Sequence, residues 1–122
     1  DILAFVDSKL GQRMKTAAEQ NVLYREQPFV IAQKMNQIET AWNGEETVLV
    51  QGIIDAYFIE DDEIVLVDYK TDKVSPGGEQ HLIDLYHIQL EDYAAALERM
   101  LQKKVKETFI YSFTLRKMIP LS

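Results

Sequence analysis

Three residues stand where chemistry would need them. In "VLVQGIIDAYFIEDDEIVLVDYKTDK", residues 48–73, two apolar runs flank an acidic tip, and each run carries one aspartate where a buried strand would carry a hydrophobe. If the tip closes as a two-residue loop at Asp61-Asp62, or as a four-residue loop between Ile59 and Ile64, residues paired across the hairpin have numbers summing to 123. Asp55 then faces Asp68 on one side of the sheet, with Cβ atoms about 4.5–5.5 Å apart. An odd loop length would break this pairing. Lys70 points to the same side, roughly 6–7 Å further along the strand. Opposed carboxylates repel, and burying them costs several kcal/mol per ion unless something compensates. A proton on one carboxylate, the Lys70 ammonium, or a divalent cation between the two would each do so. Mg²⁺ suits the last case, because it takes oxygen ligands and keeps part of its water. A lysine beside it would orient water or stabilise charge on a phosphate. The ordinary alternative is a solvated face with a weak surface ion pair. The strongly apolar flanks of both runs argue instead for a central hairpin.

The elements that must hold these residues can be read from pattern. Residues 2–19 carry apolar positions at 2, 3, 5, 6, 10 and 14, which predicts two short helices or one helix broken at Gly11. Residues 21–32 are rich in Val, Tyr, Phe and Ile and contain Pro28, which predicts extended chain. A polar stretch at 35–46 holds the turn signal "NGEE", and "VSPGGEQ" at 74–80 reads as a loop. Residues 80–102 predict the longest helix, with Ile83, Tyr86, His87, Leu90, Ala94, Leu97 and Leu101 in one apolar stripe. Residues 106–115 predict a strand with Phe109, Tyr111 and Phe113 on one side. The order helix, strand, hairpin, long helix, strand predicts an α/β fold, a mixed central sheet flanked by helices.

The 122 residues fit one domain, and 47% hydrophobic content is enough for a real core. No apolar run approaches the roughly 20 residues that span a bilayer, so no membrane partner is expected. The chain has no cysteine, which removes disulfides, thiolate metal sites and a cysteine nucleophile, and fits a reducing cytoplasm. The net charge of -7 argues against a free-standing nucleic-acid binder. A cluster of Lys103, Lys104, Lys106, Arg116 and Lys117 could form a local basic edge or a solvated surface.

Three short motifs, in order, narrow the reading. "GIID" at 52–55, "VDYKTDK" at 67–73 and "QLEDYAAAL" at 89–97 resemble the RecB-type nucleases of the PD-(D/E)XK superfamily. "YREQPF" at 24–29 adds a resemblance to the nuclease domains of bacterial helicase–nuclease subunits of the AddA or RexA type. The resemblance covers nearly the whole chain. It implies a restriction-endonuclease-like fold and a Mg²⁺-dependent DNA exonuclease working in double-strand-break repair and recombination, with Mn²⁺ or Ca²⁺ able to occupy the site. It implies DNA, upstream helicase domains of the same chain, and a second subunit of the AddB or RexB type as partners.

By the same resemblance, Asp55, Asp68 and the Tyr69 carbonyl bind the metal. Lys70 helps generate the attacking water and stabilises charge on the phosphate. Gln89 and Tyr93 line the site, Thr71 supports the strand end, and Glu26 either contacts the site or partners a backbone amide or Lys70. Independently, Gln89 and Tyr93 are spaced i, i+4 and fall on the shoulder of the apolar stripe, where a side chain reaches a cleft while its stem packs. His81 and His87 are expected to have no catalytic role, His87 being packed in the stripe.

The chain departs from the family pattern in one respect. Members carry a metal-binding histidine on an upstream helix, within a Gly-Thr-x-x-His-like motif, and no histidine precedes Asp55. The expectation is a nuclease-domain fragment, residues 1–122, that lacks that helix, binds metal weakly and cuts DNA poorly alone. An attached helicase that feeds it a strand would excuse the acidic charge. Two other readings stay open: a non-catalytic DNA-end-binding or docking module that keeps the fold, and a stand-alone exonuclease of the same superfamily.

Overall fold

A computed structural model of the chain describes residues 8–34 and 47–121. The acidic tip closes as the two-residue loop. Asp61 and Asp62 both take left-handed backbone (φ 54° and 62°), the pair of conformations a type I′ turn requires, and Glu60 pairs with Glu63. The turn joins β2 (Thr47–Glu60) to β3 (Glu63–Lys70), and their register is the one the summing rule predicts. β1 (Leu23–Lys34) pairs antiparallel with β2 on its other side. β4 (Val105–Ser112) runs parallel to β3, and β5 (Lys117–Pro120) closes the far edge antiparallel to β4. The sheet order is β1-β2-β3-β4-β5, so β3 lies at the centre. Pro28, which has no amide to donate, sits on an edge strand, where that loss is tolerated. The predicted turn at 35–46 lies outside the described residues.

Among the described residues, one helix covers each face. α1 (Lys9–Glu19) packs Leu10, Met14 and Ala17 against Ala56, Phe58, Val65, Val67, Phe109 and Tyr111. Its start is set by Ser8, whose hydroxyl accepts from the Gly11 amide at 3.0 Å. Gly11 therefore does not break a helix. It sits buried in the first turn with its amide capped. Residues 2–6, in the same predicted element, lie outside the described residues. α2 (Glu79–Leu101) connects β3 to β4, the crossover that parallel strands need, and covers the opposite face. Leu82, Leu90, Ala96 and Leu97 are its most buried residues and pack on Ile54, Tyr57, Ile64, Leu66 and Ile110. The predicted stripe is thus rotated slightly. It omits Leu82 and Ala96 and includes His87, which is half-exposed and faces Glu91 at 3.6 Å. Neither helix is long and apolar enough to cross a membrane.

α1 is tied to the sheet by more than its apolar face. The Arg13 guanidinium forks onto Glu60 (2.6 and 3.1 Å), reaches Glu107 (2.5 Å), and lies over the Phe58 and Phe109 rings. The Arg13 hydrogen bond, opposed by burial and helped by Lys106, holds the Glu60 carboxyl down at about 2, against an ordinary 4.5. A depressed carboxylate stabilises the fold above its ordinary value and loses that contribution as pH falls through its folded value. Arg13→Ala is expected to cost about 1–2 kcal/mol at pH 7, after allowing for partial exposure. That deficit shrinks as the pH is lowered from 5 toward 2, which thermal unfolding over that range checks.

The same network answers the basic-edge expectation. Lys103 pairs with Asp62, Lys106 with Glu60 (2.9 Å) and Asp61 (3.3 Å), and Lys117 with Glu79 (3.3 Å). These lysines neutralise the hairpin tip and a helix end rather than forming a free cationic strip.

Candidate active site

The hairpin places Asp55 and Asp68 next to each other, with one difference from the predicted pairing. The β2–β3 ladder runs from Glu60/Glu63 to Ala56/Val67 and stops one pair short of the two aspartates. The reason lies in β2. Tyr57 is on the α2 side of the sheet, and so are Gly52 and Ile54, although regular alternation would put the latter two on the other side. On β1 the same switch separates Tyr24, stacked on Tyr57, from Phe29. The switch falls at Glu26 and Asp55, the one position skipped in an otherwise continuous β1–β2 register, and Glu26 has φ 49° there. The pleat is interrupted on both strands at once. Asp55 is thereby released from simple up–down alternation, and its Oδ2 accepts the Tyr69 backbone N–H at 2.9 Å, where a continued ladder would offer a backbone carbonyl.

Asp68 and Lys70 share one side of β3, the side that α2 covers. Asp68 is 3% exposed. Its Oδ2 lies 2.8 Å from Lys70 Nζ, yet this buried oxygen has no aligned hydrogen-bond donor among the described residues. The contact is therefore one of charge more than of direction. Burial pushes the Asp68 carboxyl up to about 6; Lys70 opposes the rise and the nearby Asp55 carboxylate adds to it. The Lys70 ammonium goes the other way from the usual buried lysine. Burial lowers it, but Asp68 outweighs burial and the net shift is upward, so Lys70 stays charged.

Two side chains of α2 complete the contacts of Lys70. Gln89 Oε1 accepts from Nζ at 3.4 Å, and the Tyr86 ring centroid is 3.9 Å from Nζ. The Tyr86 hydroxyl donates to Asp72 Oδ2 at 2.7 Å. Tyr93 packs edge-on against Phe29 at 5.1 Å, and burial followed by the Asp68 charge raises its phenol. The structure brings Asp55, Asp68, Lys70 and Gln89 together, with Tyr93 on the adjoining surface. Tyr69 contributes its backbone there, while its ring turns to α1 and its hydroxyl meets Met14 Sδ at 3.7 Å. Thr71 is exposed just past β3, and it adds no hydrogen bond to the cluster among the described residues. Glu26 has an exposed carboxylate, and its backbone takes the left-handed conformation opposite Asp55. Sequence reasoning misses Tyr86 and Asp72 as parts of the site. Tyr86 lies three residues before Gln89, on the same helix face, and that spacing is the available signal.

Gly52 has a steric role. A Cβ there would sit 2.9 Å and 3.0 Å from two ring carbons of the buried Phe29, which in turn carries Tyr93. Gly52→Ala is expected to lower stability by about 1–3 kcal/mol by overpacking. Denaturant unfolding measures this, and adding Phe29→Leu should return part of the loss.

The donor set suits a hard cation. Asp55 keeps Oδ1 free of the Tyr69 bond, and Asp68 presents a buried oxygen without an aligned donor. Among the described residues no three His, Cys, Asp or Glu side chains gather at one point. Zinc, which takes nitrogen and sulfur ligands in a closed shell, does not fit. An ion that holds a few protein oxygens and fills its remaining positions with water and phosphate does.

A mixed sheet with a helix on each face, and an Asp…Asp-x-Lys constellation at the open end of its central hairpin, defines a class. The sequence pattern of the PD-(D/E)XK nuclease superfamily matches residues 3–118, and the chain belongs to that superfamily, with its restriction-endonuclease-like α/β fold. It is similar to the A-type subunit of the ATP-dependent helicase/nuclease of Lachnoclostridium phytofermentans, 40% identical over 94% of this chain and 11% of that protein. The proteins of the same name from Clostridium perfringens and Alkaliphilus metalliredigens are 43% and 44% identical, over 99% and 92% of this chain. The chain spans about a tenth of the length of these curated relatives.

Proposed function

We propose that this domain hydrolyses DNA phosphodiester bonds with a divalent cation, Mg²⁺, held by Asp55, Asp68 and the Tyr69 carbonyl, Mn²⁺ or Ca²⁺ being able to occupy the same ligands. It does so as the exonuclease part of a cytoplasmic helicase–nuclease that works in double-strand-break repair and recombination. Helicase domains of the same polypeptide and a second helicase–nuclease polypeptide are its partners, and DNA is its substrate. The observation that carries the reading is the buried Asp68 oxygen, pressed against Asp55 and Lys70 in a chain of this superfamily. That arrangement is costly for folding and useful for holding a cation.

The cation, when bound, supplies positive charge to the scissile phosphate and acidifies the attacking water. The remaining work belongs to the chain. Asp55 and Asp68 would hold the cation through their carboxylate oxygens. Lys70 stays charged beside them, where it stabilises negative charge developing on the phosphate and orients water. Gln89 and Tyr93 border the cleft from α2 and guide the strand, and Thr71 supports the end of β3. The two carboxylates and the Tyr69 carbonyl would leave the cation short of protein ligands. The histidine that the resemblance adds from an upstream helix would complete the set, so a chain carrying it should bind the cation more tightly than residues 1–122 alone. The test is DNA cleavage by the intact polypeptide, with Mg²⁺ or with chelator, for the wild type and for Asp68→Ala. Cleavage that needs Mg²⁺ and disappears in the variant supports the reading. Chelator-resistant cleavage, or an Asp68→Ala protein that cuts normally, overturns it.

A further inference from the structure

Lys70 is held on three sides, and the third is unassigned. Asp68 provides charge, Gln89 an exposed acceptor at 3.4 Å, and Tyr86 the face of its ring. The ring is itself braced. Its hydroxyl donates to Asp72 Oδ2, and the Asp72 carbonyl accepts from Thr114 Oγ1 at 2.7 Å, which fixes the stretch after β3 against the turn after β4. Tyr86 also packs against the α2-side core, so its position is set from both ends.

The geometry points to Tyr86 as the residue that positions the Lys70 ammonium for the reaction, with Asp72 as the brace that orients the ring. The inference rests on the proposed role of Lys70. Its physical basis is a competition at Asp68. A lysine side chain is a flexible four-carbon stem whose ammonium goes where charge pulls it. Once the Asp68 carboxylate shares its charge with a cation, its hold on Lys70 weakens. The ring face of Tyr86 is not a ligand of that cation, so its attraction persists, and an ammonium over a tyrosine face is held by the ring quadrupole. The ring then keeps Nζ at the edge of the carboxylate pair instead of letting it swing into solvent or onto Asp72.

The test compares Tyr86→Leu with Tyr86→Phe in the intact polypeptide. Leucine keeps the apolar packing on α2 and removes the ring face. Phenylalanine keeps the face and removes only the brace. For Tyr86→Leu the expected result is a fall in turnover of about 10–100-fold, with KM for DNA nearly unchanged. Tyr86→Phe should restore part of it, the remaining loss being the contribution of the brace. In a Lys70→Ala background, Tyr86→Leu should add no further loss, since the ammonium it positions is gone. A readout independent of cleavage is the rate at which Lys70 is acylated in the DNA-free protein with saturating Ca²⁺ and with chelator, followed by mass spectrometry. With Ca²⁺ it should rise in Tyr86→Leu and fall back toward the wild-type rate in Tyr86→Phe, and with chelator, where Asp68 still holds the ammonium, the three proteins should differ less.

The inference is overturned if Tyr86→Leu turns over normally, if its loss is equally large without Lys70, or if Tyr86→Phe is as damaged as Tyr86→Leu. Lys70→Ala separates the two levels. Lost cleavage there alongside a normal Tyr86→Leu sinks the positioning role alone, whereas normal cleavage in Lys70→Ala sinks the proposed function with it.

Discussion

Lys70→Ala is expected to reduce DNA cleavage by about 100–1,000-fold in the intact polypeptide, the scale seen when one charge-stabilising group is removed from a preorganised site. DNA binding should change little, because a single ammonium is a small part of a phosphate-contact surface. The same substitution has a second, measurable effect. Lys70 is the cation 2.8 Å from a carboxylate that is 3% exposed. Without it, Asp68 is buried beside Asp55 with no compensating charge, and the cation-free protein should lose about 1–3 kcal/mol at pH 8. Saturating Mg²⁺ should return much of that loss, since an ion that binds only the folded state stabilises it. Lys70→Arg should not rescue cleavage, because a planar guanidinium fork does not reproduce a point charge seated on the Tyr86 ring. Single-turnover cleavage and thermal unfolding with and without Mg²⁺ check both halves.

Asp68→Asn is expected to act in opposite directions on stability and on activity. In the unfolded chain this carboxyl titrates near its ordinary 3.8, and in the fold burial raises it to about 6. Between those values the folded state binds the extra proton, so stability falls as pH rises from about 4 to about 6 and stays lower above it. The full loss corresponds to about 2–3 kcal/mol. Asparagine carries no charge to bury. At pH 8, without divalent cations, the variant should unfold at a higher temperature than the wild type, and the difference should close as the pH is lowered to 4. Mg²⁺ should raise the wild-type transition at pH 8 and leave the variant almost unmoved. Cleavage by the variant should be lost throughout. An Asp68→Asn protein less stable than the wild type at pH 8 would mean that the ion pair with Lys70 outweighs the burial of the carboxylate.

Much of this site is legible in the sequence because strand pairing is arithmetic. A two-residue turn at Asp61-Asp62 fixes the partners from Glu60/Glu63 to Ala56/Val67, and from that follow the proximity of Asp55 and Asp68, though not their direct pairing, and the side on which Lys70 stands. The helix that carries Gln89 and Tyr93 is legible from its period. What pattern does not show are events that depend on two distant segments at once. The pleat break at Asp55 requires Glu26 on β1 to take a left-handed backbone, and nothing in "YREQPF" marks that glutamate for it. The need for glycine at 52 arises from Phe29, 23 positions away in sequence, whose ring occupies the space a Cβ would fill. β5 escapes notice because "KMIP" is four residues long and ends in proline, too short to show a period. His87 has helical spacing with the core residues but lies at the border of the stripe, so its imidazole turns out toward Glu91. Tyr86 reads as packing, which it is, but its ring has two faces and one of them carries Lys70.

The central claim is that Asp55 and Asp68 share a divalent cation. The most direct measurement is anomalous diffraction from crystals of the intact polypeptide grown or soaked with Mn²⁺. The account predicts a single anomalous peak between the two carboxylates, about 2.0–2.6 Å from an oxygen of each, that is absent in Asp68→Asn crystals treated the same way. Mn²⁺ bound elsewhere with that position empty, in a protein whose Mn²⁺-dependent cleavage is intact, would contradict it.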